Sequence, residues 1–179
     1  MSVHLDELRE HLDAYLRGLP HAPVHSLREI IASGKHSPGI KANLEKALAL
    51  STGTEAFRKK RLLRADLQKH LVRLMAEHNL DAIVYPHQQQ LVCKVGGSQQ
   101  ERNGALCAVT GFPSIAVPAG FSPPAPDAPL GVPVGMEIAG RPWSEPLLIA
   151  IAYAFEQVSR FRKAPDLDGA VQRPRRSNA

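Results

Sequence analysis

A chain of 179 residues has room for one domain with a real core, and its 44% hydrophobic and 22% charged residues are ordinary for a globular fold. The net charge of +5 sits mainly in "FRKKRLLR" (57–64) and the tail "RPRRSNA" (173–179); no aromatics interleave with those charges, so both read as solvated surface and not as a nucleic-acid partner site. Two cysteines, Cys93 and Cys107, are too few for a disulfide framework, the N-terminus lacks a signal-peptide pattern, and no apolar run reaches the roughly 20 residues of a membrane helix, so a reduced, cytoplasmic chain with no membrane partner is expected.

The first half reads as helices. Leu5, Leu8, Leu12, Tyr15 and Leu16 recur at three- and four-residue steps, which makes one apolar helix face, and Pro20 and Pro23 end it. "HSLREIIASG" predicts a short helix with Ser26 as N-cap, Glu29 three residues on, and Gly34 past its end. Ile40 to Leu50 predicts another. A long helix is expected from Gly53 to Asn79, about 40 Å at 1.5 Å per residue. Thr52 and Glu55 supply capping-box spacing, and Phe57, Leu63, Leu67, Leu71 and Leu74 form the buried stripe.

At Asp81 the texture changes. "DAIVYP" predicts a buried strand stopped by Pro86, and "LVCKV" (91–95) a second one. "NGALCAVT" is helical, with Cys107 as a small core residue. "PSIAVPAGF" and "VPVGMEIAG" predict two strands around a proline-rich loop. A final helix begins after Ser144, which is expected to cap it, with Leu148, Ile151, Phe155 and Val158 buried and Arg160, Arg162 and Lys163 at its negative end. The expected fold is α/β, with helices packed on a mixed β-sheet. The organisation is a helical segment over 1–80, a strand-helix core over 81–165, and a basic flexible tail over 166–179.

The ordered set "LDAIVYP", Asn103, "GFPSIAVPAG" and "GVPVGMEIAGRPWSEPLLIAIAYAFEQ", with "HSLREIIASGK" ahead of it, resembles the C-terminal region of the amidase signature family. The resemblance implies the C-terminal part of the amidase signature fold and hydrolysis of C–N amide bonds by a Ser–cis-Ser–Lys triad, with no metal and no cofactor. A serine hydroxyl needs a base to become a nucleophile, and backbone N–H groups of a Gly/Ser-rich loop hold the oxyanion. Those parts lie upstream of the matched region, and "VGGSQQ" (95–100) is no equivalent of that loop. No catalytic residue is therefore carried over. The chain reads as the far end of an amidase beginning at its own Met1, a fragment or truncated homologue inactive alone. Its expected partners are the missing N-terminal amidase portion or a second copy in a homodimer, with a small amide substrate only if completed. The alternative is a non-catalytic binding or scaffold module that uses the residual crevice or an exposed sheet edge.

Three residues are expected to line a substrate pocket: His87, Gln88 and Asn103. His87 and Gln88 follow a strand end, where open α/β sheets place their ligand crevices. The family usually has Pro-Thr where this chain has "PHQQQ" (86–90). A Lys94/Ser98 dyad is disfavoured by Gly96 and Gly97 between them. The eight histidines make no three-ligand zinc pattern.

Overall fold

The computed structural model describes residues 2–165. They divide into two compact units: residues up to Leu80 together with Ala105–Gly111, and Asp81–Gly104 together with Phe112 onward. The expected tail over 166–179 lies outside the described residues.

The first unit is helical: α1 (His4–Arg17), α2 (Leu27–Ser33), a 3-10 turn at Pro38–Ile40, α3 (Lys41–Ala49), α4 (Glu55–Glu77) and α5 (Ala105–Thr110). Ser26 caps α2 by accepting from the Glu29 N–H at 3.2 Å, and Gly34 closes it in the left-handed region at φ 65°. The N-cap of α4 is Thr54, which accepts from the Phe57 N–H at 3.1 Å. Thr52, expected in that role, instead donates its hydroxyl to Glu10 of α1 at 2.6 Å, a tertiary bond that outcompetes the local cap. Carboxylates of α1 make two more such clamps. Asp13 accepts from the Leu27 N–H at 2.7 Å. Asp6, only 3% exposed in its side chain, accepts from Lys60 through both oxygens at 2.9 and 2.7 Å.

Long α4 departs from its expected packing. Phe57 and Met75 are buried and Leu67 and Leu71 half-buried, but Leu63 and Leu74 are exposed. A 3.6-residue period identifies a stripe without saying how much of it a neighbour covers.

The second unit holds a three-stranded sheet in the order β1-β3-β2: β1 (Ile83–Pro86), β2 (Ser114–Phe121) and β3 (Pro133–Ala139). The class is α/β as expected, and within this chain both strand pairings are antiparallel where a mixed sheet was expected. Ile138 of β3 faces Val84 on one side and Ile115 on the other. Alternation along the strands sends Ile138, Met136, Ile115 and Val117 to one face. There they meet Leu148, Ile151, Ala152 and Phe155 of α6 (Glu145–Ser159), forming the core. Gly140 lets α6 approach: a Cβ there would meet the Ser144 hydroxyl and would lie 3.1 Å from the Leu148 side chain.

Three further expectations change in this unit. Leu91–Val95 forms no strand; Val95 is fully exposed and the sheet ends at β1. Ser144 precedes α6, but its hydroxyl donates to the Arg141 carbonyl at 2.6 Å and does not cap the helix. Val158 is exposed in the last turn of α6, and Arg160, left-handed at φ 47°, ends the helix just beyond it.

Candidate functional site

The face of the sheet opposite α6 is polar at its centre. Glu137 is the one charged residue of β3, and its alternation places it with Tyr85 on β1 and Ala116 on β2, its register partners, while Ser114 lies diagonally across. The ladder runs one residue past β1, where the His87 N–H donates to the Gly135 carbonyl at 3.2 Å. His87 therefore falls on the same face as Tyr85, two residues on. Its Nδ1 sits 2.8 Å from Glu137 Oε2.

Glu137 is 3% exposed. Burial pushes its carboxyl up, but hydrogen bonds from Ser114, His87 and Tyr85 and the charge of a protonated His87 pull it down more strongly, so it stays ionised below the usual glutamate range. A carboxylate this enclosed needs its donors, and it has three.

Beside this pair lies an open cavity of about 460 Å3 whose lining includes His87, Gln88, Leu91, Val92, Ala116 and Gly135. Small residues make the space: a Cβ on Gly135 would meet nothing within 4 Å. Gly104 lies against the Cε1 end of the imidazole, where a Cβ would meet Cε1 and lie 2.9 Å from each ring nitrogen.

The three residues expected from the sequence have different places. His87 lines the cavity. Gln88 also lines it, but its side-chain oxygen is buried with no hydrogen-bond partner among the described residues. Asn103 does not line it; it braces the loop that carries His87. Its Nδ2 donates to the Pro86 carbonyl at 2.8 Å, its N–H to the His87 carbonyl at 3.0 Å, and its Oδ1 accepts from Gln89 Nε2 at 3.0 Å. Lys94 and Ser98 are engaged elsewhere, Lys94 with Asp127 at 2.8 Å and Ser98 with Gln100 at 2.8 Å. Sequence reasoning missed Glu137, Tyr85, Ser114 and Gly135. The available signal was Glu137 itself, a lone carboxylate in an otherwise apolar strand, which requires a buried donor.

Comparison with known proteins places this architecture. The profile described as Amidase matches residues 28–149, a span that contains every residue of the His87–Glu137 site. The chain belongs to the amidase family. A probable amidase of Arabidopsis thaliana is 32% identical over 169 residues, covering 90% of this chain and 29% of that protein. A glutamyl-tRNA(Gln) amidotransferase subunit of Thermoanaerobacter pseudethanolicus is 28% identical over 138 residues, covering 69% of this chain and 26% of the relative. The crystal structure of an amidase family protein from Bacillus anthracis superposes with a TM-score of 0.66 at 30% identity, over 91% of this chain and 30% of that one. This amidase-family chain thus spans less than a third of the relatives it matches. Among its described residues, no helix is long and apolar enough to cross a membrane.

Proposed function

We propose that this chain is a C-terminal portion of an amidase-type C–N hydrolase, working in the cytoplasm, which forms one wall of the substrate cleft and does no hydrolysis alone. The observation that carries the reading is the coverage: 90% of this chain aligns with 29% of an amidase. A nucleophilic serine, a relay serine and a lysine base form one unit, and a wall without them has no group to take the acyl chain. His87 contacts the substrate in this reading, Gln88 shapes the cleft, and Asn103 holds the loop in place.

The surface of α6 supports a partner. The helix is apolar nearly all round: Leu148 and Ala152 are buried against the sheet, yet Ile149 is 61% and Tyr153 64% exposed on its other side. A helix of this kind is built to be covered twice. The remainder of an amidase fold is the cover we propose, in preference to a homodimer through an edge strand. Both edges are blunted: β1 is four residues long and ends on Pro86, and β2 carries Pro118 and a register shift between Pro118 and Gly120.

One observation favours a second reading, a non-catalytic binding module: the cavity and its His87–Glu137 pair lie wholly within the second unit. A fluorophosphonate probe tests the first point of both readings. The purified chain is expected to remain unlabelled and to leave aryl amides unhydrolysed above background. Stoichiometric labelling lost in Ser98→Ala would contradict them.

A further inference from the structure

Helices α1 and α4 pair Asp6 with Lys60 at 2.7 Å. Glu7, the next residue of α1, and Arg64, one turn further along α4, do not repeat that pairing. They line one open cavity of about 400 Å3, which lies wholly within the first unit. Both residues are half-buried. Among the described residues, neither makes an ion pair or a side-chain hydrogen bond. Groups that could have answered them are engaged elsewhere. Ser2 and His4, the remaining polar residues of the lining, hydrogen-bond to each other at 2.5 Å. The Arg64 guanidinium lies beside the end of α5, where a Cβ on Gly111 would be 3.1 Å from Nη2, yet the Thr110 carbonyl there accepts from Gln68 Nε2 at 2.5 Å.

The rest of the wall is apolar. Val3 precedes α1, while Ala105, Ala108 and Val109 come from α5 at the three- and four-residue steps that share a helix face. The two alanines leave space that larger side chains would fill. A half-buried carboxylate and a half-buried guanidinium in one cavity, neither satisfied, carry a desolvation cost that a ligand with complementary charges can offset. A simple anion would answer Arg64 and be opposed by Glu7, and a simple cation would do the reverse. A zwitterion answers both. We propose that this cavity binds a free α-amino acid with an apolar side chain, its carboxylate on Arg64, its ammonium on Glu7 and its side chain against Val3, Ala105 and Ala108. The arginine fork matches a carboxylate, and the volume falls in the range of about 300–1,000 Å3 usual for small-molecule sites. This site belongs to the helical unit and does not depend on reading the other cavity as a cleft wall.

Three ligands test it on the 15N-labelled 179-residue chain: L-leucine, L-leucinamide, which lacks the carboxylate, and N-acetyl-L-leucine, which lacks the ammonium. They are titrated at about pH 6.5, where leucinamide is still a cation, and read at the backbone amide signals of Glu7, Ala105 and Ala108. L-Leucine is expected to saturate these signals, and each of the other two to bind about tenfold more weakly. Arg64→Met should erase the preference for L-leucine over L-leucinamide and keep that over N-acetyl-L-leucine; Glu7→Gln should do the opposite. Neither substitution breaks a bond within the chain, so both variants should keep the wild-type thermal unfolding midpoint or exceed it. L-Leucinamide or N-acetyl-L-leucine binding as tightly as L-leucine would overturn the inference, as would the absence of any saturable shift with L-leucine. A lowered midpoint in either variant would overturn it too, because the charge removed would then have had its partner inside the protein.

Discussion

Each of the two units of the chain coheres by a different means. In the second, Ile138, Val117, Leu148 and Ala152 make one apolar cluster between a sheet and a helix. In the first, the helices α1 to α4 bury one or two residues each, and the buried residue of α1 is the carboxylate Asp6. Its cohesion leans on single side chains that reach across: Asp6 to Lys60, Asp13 to the Leu27 N–H, Glu10 to Thr52. An apolar core spreads its energy over many contacts. A clamp concentrates it in a pair whose loss strands a charge or an N–H. The same clamp logic recurs once in the second unit, at Glu137, and there it builds the candidate site.

If that contrast is right, Ile138→Ala should be the most damaging substitution, costing about 2–5 kcal/mol in denaturant titration, because the residue is fully buried on the central strand, between β1 and β2. Lys60→Met should come next at about 3 kcal/mol, since it leaves the buried Asp6 carboxylate without its cation. Asp6→Asn should cost less, because Lys60 is a third exposed and can turn to water. A Lys60→Met loss within about 0.5 kcal/mol, typical of open surface, would remove the distinction between the units.

Acid should single out Glu137. Its folded pKa is depressed, so its contribution is fully present above the ordinary glutamate range of about 4.3 and is lost as pH falls through the lower folded value. Glu137→Gln should flatten the stability–pH curve in that acidic window, as followed by tryptophan fluorescence or circular dichroism. An unchanged curve would mean that the carboxylate is not held by its donors.

The sequence made the second unit's frame readable and much of the first unit's bonding invisible. Short apolar runs in "SIAVP" and "VPVGMEIA", on either side of a proline-rich loop, locate β2 and β3. The α2 cap is readable because Ser26, Glu29 and Gly34 act locally. Thr52 misleads because its capping-box spacing to Glu55 is satisfied on paper while a distant glutamate takes its hydroxyl. Leu91–Val95 has strand composition but no neighbouring strand, which composition cannot reveal. For the site, a position after a strand end pointed to His87. Its partner lies 50 residues away on another strand, and only register brings the two together.

Smaller effects sharpen the picture. Leu67 is half-buried, so Leu67→Ala should cost about 1–2 kcal/mol, less than full burial would imply, and exposed Lys59→Ala should stay within about 0.5 kcal/mol. A Leu67 loss equal to that of Ile138 would mean that α4 is packed as tightly as the sheet. Least of all, Gln88→Met should be neutral or slightly stabilising in thermal unfolding, because it removes a buried oxygen that has no donor among the described residues.

The most direct test of the whole account is reconstitution. The Arabidopsis relative, expressed without the region that aligns with this chain, should lose the amide hydrolysis of its full-length form. Adding the 179-residue chain should restore hydrolysis, with His87→Phe restoring less. Amide hydrolysis by this chain alone, at a rate that the added portion does not change, would contradict the claim that it supplies a cleft wall and takes its nucleophile from elsewhere in the fold.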